Sequence, residues 1–176
     1  MKRIFALLIS LVLTLGLVAC GGDGGADKDK DKDKDGGADK QSTVSFYVNY
    51  NGNVKIELLA DAKAVLDKLG EPISTSEMGA CGDQGTVTKY VFDSIELFVL
   101  KNGDKATVDQ ITLKSDLVKT PEGVTIGSSR DDVIKAFGEG YAKATDTEIR
   151  YTSGNKNLKL QLRDGSVVAI DYMVLG

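Results

Sequence analysis

From Thr43 onward the apolar positions follow two spacings. Ala62, Val65, Leu66 and Leu69 recur at i, i+3, i+4 and i+7, which places them on one face of a helix, and Val133, Ile134 and Phe137 do the same further on. The ends of both segments carry helix punctuation. Asp61 is placed to cap the first, Ser128 with Asp131 resembles a capping box for the second, and Gly70 and Gly138 stand where a left-handed C′ residue is wanted. Helices of about ten residues are unstable alone, so each needs a sheet to lie on. The sheet is predicted by period-two alternation. Tyr90 and Phe92, then Ile95, Leu97 and Val99, then Ile111 and Leu113 would face the first helix. Ile149 and Tyr151, then Leu158, Leu160 and Leu162, then Val168, Ile170 and Tyr172 would face the second.

Turn residues join these runs. Asn102-Gly103 and Asp164-Gly165 each link the last two segments of a set, and Asn51-Gly52 between Val44–Tyr50 and Val54–Leu59 predicts a type I′ hairpin that adds a strand at the front. The pattern also occurs twice. Ala64-Val65-Leu66-Asp67-Lys68-Leu69-Gly70-Glu71 aligns without a gap with Asp132-Val133-Ile134-Lys135-Ala136-Phe137-Gly138-Glu139. Each stretch follows a short alternating run, Ile56 and Leu58 or Val124 and Ile126, and precedes three β-type segments. The expectation is one α+β domain over 43–176. It would hold two tandem repeats, about 54–118 and 122–176, each a short helix packed on an antiparallel three-stranded meander, with an N-terminal β-hairpin. Residues 72–86 read as a loop, and Thr120-Pro121-Glu122-Gly123 marks the join.

The side chains between the core positions differ between the two copies. The second would present Arg150, Lys159, Gln161, Arg163 and Asp171, a solvated face. The first would present Val91, Phe98, Leu100 and Val108 beside Lys89 and Glu96, more apolar than exposure to water explains. Either this patch is covered by the other repeat or the hairpin, or it meets a partner. Val91, Phe98, Leu100, Arg150, Lys159 and Arg163 are therefore the candidate partner-binding face.

Ahead of Thr43 the pattern changes twice. Met1-Lys2-Arg3 is basic, and Ile4 to Ala19 is an uncharged run. At 1.5 Å per residue that run spans about 24 Å as a helix, short of the roughly 30 Å hydrocarbon core, so residues 1–19 read as a signal peptide rather than an uncleaved membrane anchor. Leu17-Val18-Ala19-Cys20, followed by Gly21-Gly22, resembles the lipobox of bacterial lipoproteins. The resemblance implies a diacylglyceryl group on the Cys20 thiol, cleavage before Cys20 by signal peptidase II and acylation of the new amino group. The mature chain would then be held to the membrane by lipid, facing outside the cytoplasm; two or three acyl chains make such an anchor durable where one does not. Residues 20–42 continue as Gly, Ala, Asp and Lys almost throughout. They offer no apolar side chain large enough to offset ordering entropy, so they are expected to form a disordered tether. A Ca²⁺ site from the repeated Asp is disfavoured because Lys alternates with it.

Gly-Val-Thr-Ile-Gly-Ser-Ser-Arg-Asp-Asp-Val-Ile-Lys-Ala-Phe-Gly at 123–138, together with the lipobox, the tether and the two helix-plus-meander units, resembles small lipoproteins of Gram-positive bacteria. The repeats are similar to those of β-lactamase inhibitory protein and, more loosely, of the outer-membrane assembly lipoprotein BamE. The likeness covers about 54–176. It implies helices packed on one sheet face, with the other face or its loops binding protein: a non-catalytic interaction module whose partner is an envelope or extracellular protein. This chain has no Cys pair for a disulfide, so the inhibitory activity does not carry over with the fold.

Charge and chemistry narrow the picture further. Without Lys2 and Arg3 the 22 basic groups fall to 20 against 26 acidic ones, and no Lys/Arg cluster forms the patch that nucleic acid requires. The chain has no His, which removes the commonest general base and zinc ligand. With Cys20 lipidated, Cys81 is the remaining thiol. It could serve an extracytoplasmic enzyme or thiol-redox protein, although no base accompanies it in Gly79-Ala80-Cys81-Gly82, or be a small buried side chain. A substrate-binding lipoprotein is disfavoured by length. No cofactor, metal site or catalytic constellation is expected, and Asp131-Asp132 reads as charge complementing a helix N-terminus.

Overall fold

A computed structural model describes residues 43–79 and 85–176. The expected signal peptide, lipobox and tether, and Cys81, lie outside the described residues.

The described chain is mostly antiparallel sheet with two short helices. In order it runs β1 (Tyr47–Tyr50), β2 (Val54–Glu57), α1 (Ala62–Leu69), β3 (Ser74–Gly79), β4 (Thr86–Val91), β5 (Ile95–Asn102), β6 (Lys105–Leu113), α2 (Arg130–Phe137), β7 (Lys143–Ala144), β8 (Glu148–Ser153), β9 (Lys156–Arg163) and β10 (Ser166–Val174). Strands β3 to β10 form one eight-stranded sheet in the order β3-β4-β5-β6-β10-β9-β8-β7. Each helix thus leads into a four-stranded meander, and the two meanders meet through their last strands, with Ile111 opposite Tyr172 and Leu113 opposite Ile170. Four strands follow each helix where three were expected. The extra ones are β7, only two residues long, and β3, whose Ser-Thr-Ser-Glu-Met-Gly sequence has no apolar alternation. Pairing with β4, not propensity, makes β3 a strand.

The N-terminal hairpin forms as expected at Asn51-Gly52, with φ of 50° and 76° at the two central residues and Asn53 N–H donating to the Tyr50 carbonyl at 3.3 Å. It makes a two-stranded sheet of its own instead of joining the large one. The reason lies in the segment that follows it. Leu59 N–H donates to the Val108 carbonyl at 2.8 Å and Val108 N–H donates to the Ala60 carbonyl at 3.0 Å, so this connector occupies the edge of β6. Val48, Tyr50, Val54 and Ile56 of the hairpin nevertheless lie in the same buried cluster as the sheet.

Both helices are eight residues long. Asp61 caps α1, its carboxylate accepting the Ala64 N–H at 2.8 Å. The capping box of α2 sits one residue beyond the expected pair. Ser129 Oγ accepts the Asp132 N–H and Asp132 Oδ2 accepts the Ser129 N–H, each at 3.1 Å. Ser128 is engaged elsewhere, its hydroxyl accepting the Thr125 N–H at 3.0 Å. The Ser129 hydroxyl, donating to Asp132 Oδ2 at 2.7 Å, and the Ser129 N–H together hold the Asp132 carboxyl below its ordinary pKa. Gly70 and Gly138 close the helices at φ 78° and 79°, donating to the Leu66 and Ile134 carbonyls. Val133 and Phe137 are fully buried, whereas of the α1 stripe Ala62 and Val65 are buried and Leu66 and Leu69 half-buried. Phe137 packs at 5.2 Å between ring centroids on Tyr151, whose hydroxyl donates to the Gly138 carbonyl at 2.8 Å.

Two expected strand details change. Val124 and Ile126 lie in a turn region and not in a strand, although Val124 is buried. Val108 belongs to the core at 0% exposure, and Val168 leaves it at 40%. A register shift explains each. The pairing skips one residue, Asp109, between Phe98–Gln110 and Val99–Val108, and another, Val168, between Val167–Leu162 and Ala169–Gln161. A bulge of this kind moves the following side chains to the opposite face, so Val108 and Ile111, or Val167 and Ile170, point into one core although three apart. The connectors before the helices match as well. Gly127 N–H donates to the Val167 carbonyl at 2.8 Å and Val167 N–H to the Ser128 carbonyl at 2.9 Å, the arrangement that Leu59, Ala60 and Val108 make in the first half.

Candidate functional site

Directly opposed residues of an antiparallel sheet point to the same face, so the pairing registers map the face turned away from the buried cluster. One row crosses the entire sheet: Ser74, Val91, Glu96, Thr112, Asp171, Lys159, Arg150 and Lys143. A second carries Ser76, Lys89, Phe98 and Gln110, and a third carries Met78, Val87, Leu100 and Thr107.

Among the expected residues, Val91, Phe98 and Leu100 sit together on this face. They are half-buried and belong neither to the core cluster nor to the side chains packed against it. Val108, expected beside them, is in the core for the reason given above. Arg150 and Lys159 are direct cross-strand neighbours. They are separated from Val91 by four to five strand spacings, about 19–24 Å at 4.8 Å each, so the candidate residues form two patches on one surface. Arg163 is exposed at the end of β9, four residues beyond Lys159 and about 13 Å along the strand.

Ion pairs fix the charged side chains of the surface. Glu96 lies 3.7 Å from Lys89 and 3.5 Å from Lys114. Arg150 meets Glu148 at 2.7 Å, and Lys143 approaches the same carboxylate at 3.8 Å. At the seam between the meanders, Gln110 Nε2 donates to Thr112 Oγ1 at 3.0 Å, Thr112 Oγ1 donates to Asp171 Oδ1 at 2.8 Å, and Lys159 sits 3.8 Å from the other oxygen of Asp171. Partly exposed pairs of this kind contribute little stability. Their effect is to hold long side chains in one arrangement.

Three residues on or beside the first patch were not singled out from sequence: Leu59, Met78 and Val87. Leu59 has φ of 69°, is 44% exposed, and borders a cavity of about 290 Å³ with Leu100, Asn102, Lys105 and Thr107. A branched, bulky residue in the left-handed region is strained by about 1–2 kcal/mol. The corresponding position before α2 is Gly127, at φ 90°. The offset that aligns Ala64–Glu71 with Asp132–Glu139, carried back five residues, pairs Leu59 with Gly127, but sequence alone does not reveal that the position needs positive φ.

Among the described residues no group of three or more His, Cys, Asp or Glu is placed to hold a metal ion, and no helix is long and apolar enough to cross a membrane. The tyrosines with a clear shift, Tyr151 and Tyr172, are both pushed upward by burial. Among the described residues the outer face is apolar in one half and charged in the other. No family model, curated protein or solved structure matches the chain.

Proposed function

We propose that the chain is a bacterial lipoprotein, anchored outside the cytoplasm through lipid on Cys20, and that its α+β domain is a duplicated unit acting as a non-catalytic protein-interaction module. The observation that carries the interaction reading is the patch of Val91, Phe98 and Leu100, which lies outside the core beside ion-paired Lys89 and Glu96. Apolar area gains free energy when a partner covers it, and charged neighbours already held in place lose little further entropy on docking. The partner is an envelope or extracellular protein, not nucleic acid, for which the acidic chain has no basic patch. The location rests on the coincidence of a basic start, a short apolar run and Leu17-Val18-Ala19-Cys20. Duplication is supported by the matching bulges at Asp109 and Val168 and by connectors that bond β6 and β10 alike.

Two experiments test these readings separately. Cys20→Ser is expected to abolish metabolic lipid labelling and to leave unprocessed precursor; normal processing would refute the anchor. Phe98→Asp is expected to remove one or more proteins from the set crosslinked to the wild-type chain in its own cells while the circular dichroism spectrum stays the same. An unchanged set from the folded variant would exclude this face, and rapid alkylation of native Cys81 at neutral pH would favour thiol chemistry instead.

A further inference from the structure

The two edges of the eight-stranded sheet are built differently. β7 pairs with β8 through two residues, whereas β3 pairs with β4 through six, without a register shift. Among the described residues β3 has no second neighbour, so its outer side presents backbone N–H and C=O groups with no sheet partner. All six of its residues are exposed. Soluble proteins usually protect such an edge with a short strand, proline, charged side chains or a bulge. Shortness protects β7, whereas β3 has no proline, lysine or bulge and carries a single charge, Glu77.

The side chains along β3 differ by face. Ser74, Ser76 and Met78 share the outer face with Val91, Lys89 and Val87, and Thr75 and Glu77 point the other way. Met78 is 43% exposed and begins the apolar row that continues through Val87 to Leu100. Glu77 is the single charged residue of the strand. A strand added here would therefore meet an apolar shelf on one side and a carboxylate on the other.

We propose that β3 accepts an extended segment of another protein as a ninth strand, with apolar residues turned towards Met78 and basic residues turned towards Glu77. Backbone hydrogen bonds would supply the attachment, and the alternation would supply selectivity. A second copy of this chain fits the edge less well, because its own β3 would bring another Glu77 and no cation. The edge adjoins the Phe98 patch and shares the apolar row through Val87 to Leu100 with it, but the attachment proposed here is to the β3 backbone and not to the sheet face.

The test uses the full chain and a fluorescent octapeptide alternating Val and Lys, followed by anisotropy. Saturable binding is expected, weakened more than tenfold when alternate peptide nitrogens are methylated and the backbone donors are lost. Glu77→Lys, a charge reversal at an exposed position, is expected to weaken the Val/Lys peptide about threefold and to favour a Val/Glu peptide by a similar factor, as cross-strand charge pairs do. The crosslinking comparison in cells reads the sheet face and the peptide titration reads the edge, so failure of one is distinguishable from failure of the other. Equal binding of the methylated peptide, or indifference to Glu77→Lys, would overturn the proposal. So would a concentration-dependent dimer that the peptide displaces, which would assign the edge to a second copy.

Discussion

The half of the sheet that follows α1 and the half that follows α2 share a backbone plan and differ in what they present. Both have a capped eight-residue helix, a four-stranded meander and a bulge in the last strand. On the outer face the first half carries Val91, Phe98 and Leu100, while the second carries Arg150, Lys159 and Asp171 tied into ion pairs and hydrogen bonds. The first ends in a long exposed edge strand, the second in a two-residue one. Before its helix the first places Leu59 in a left-handed conformation that the second gives to Gly127. Inward positions of the two halves must interlock in one core and are held alike by packing, whereas outward positions are released from that constraint. Departures on the first half, a strained leucine, an apolar patch and a long exposed edge strand with a single charge, all run against solubility or stability, which is where a binding role is expected to leave its mark.

The comparison can be broken most forcefully at the helices. Phe137 is fully buried on Tyr151, whereas its counterpart Leu69 is half-buried. Phe137→Ala should cost about 3–5 kcal/mol and Leu69→Ala clearly less, measured by urea unfolding. Equal losses would show that the two helices are anchored with the same strength. A smaller effect is expected at the connectors. Nothing lies within 4 Å of a Cβ built on Gly127, so Gly127→Leu meets open space and should cost about 1 kcal/mol through backbone strain alone. A neutral result would mean that the left-handed conformation is not retained there, and that Leu59 is not strained in the first half either.

The smallest effect separates the two bulges by pH. Asp109 occupies the first and is raised above the usual Asp range by desolvation, while Val168 occupies the second and does not titrate. A raised carboxyl favours the folded state below its unfolded pKa and loses that contribution as pH rises through the folded value. Asp109→Asn should therefore raise the melting temperature slightly at neutral pH relative to wild type, with the gain shrinking as pH falls into the carboxylate range. Val168→Asn should show no such dependence. A pH-independent difference at position 109 would assign the effect to packing.

Much of the fold could be read from local spacing. The α1 and α2 stripes, Asp61 as a cap, Gly70 and Gly138 as stops and the three Gly turns each involve residues within one or two turns of chain, where sterics and capping act without tertiary help. The departures have two sources. Ser128 does not cap α2 because its hydroxyl accepts the Thr125 N–H in the preceding turn, which leaves Ser129 to cap. Val108 and Val168 were put on the wrong faces because a bulge shows only once two strands are paired, and alternation carried through it inverts. Of the candidate site, the Val91, Phe98 and Leu100 patch was legible as apolar residues at polar phase. Leu59, Met78 and Val87 were not, since their places depend on which strands lie beside them.

By itself the sequence determined the local elements, the apolar stripes, the caps and turns, and the chemical pattern around Cys20, because each arises from neighbours along the chain. Tertiary structure decided that β6 meets β10, that polar β3 becomes an edge strand, and that Val108 turns into the core while Val168 turns out of it. Those outcomes come from pairing between residues far apart in sequence, where register and burial outweigh the preference of any single segment.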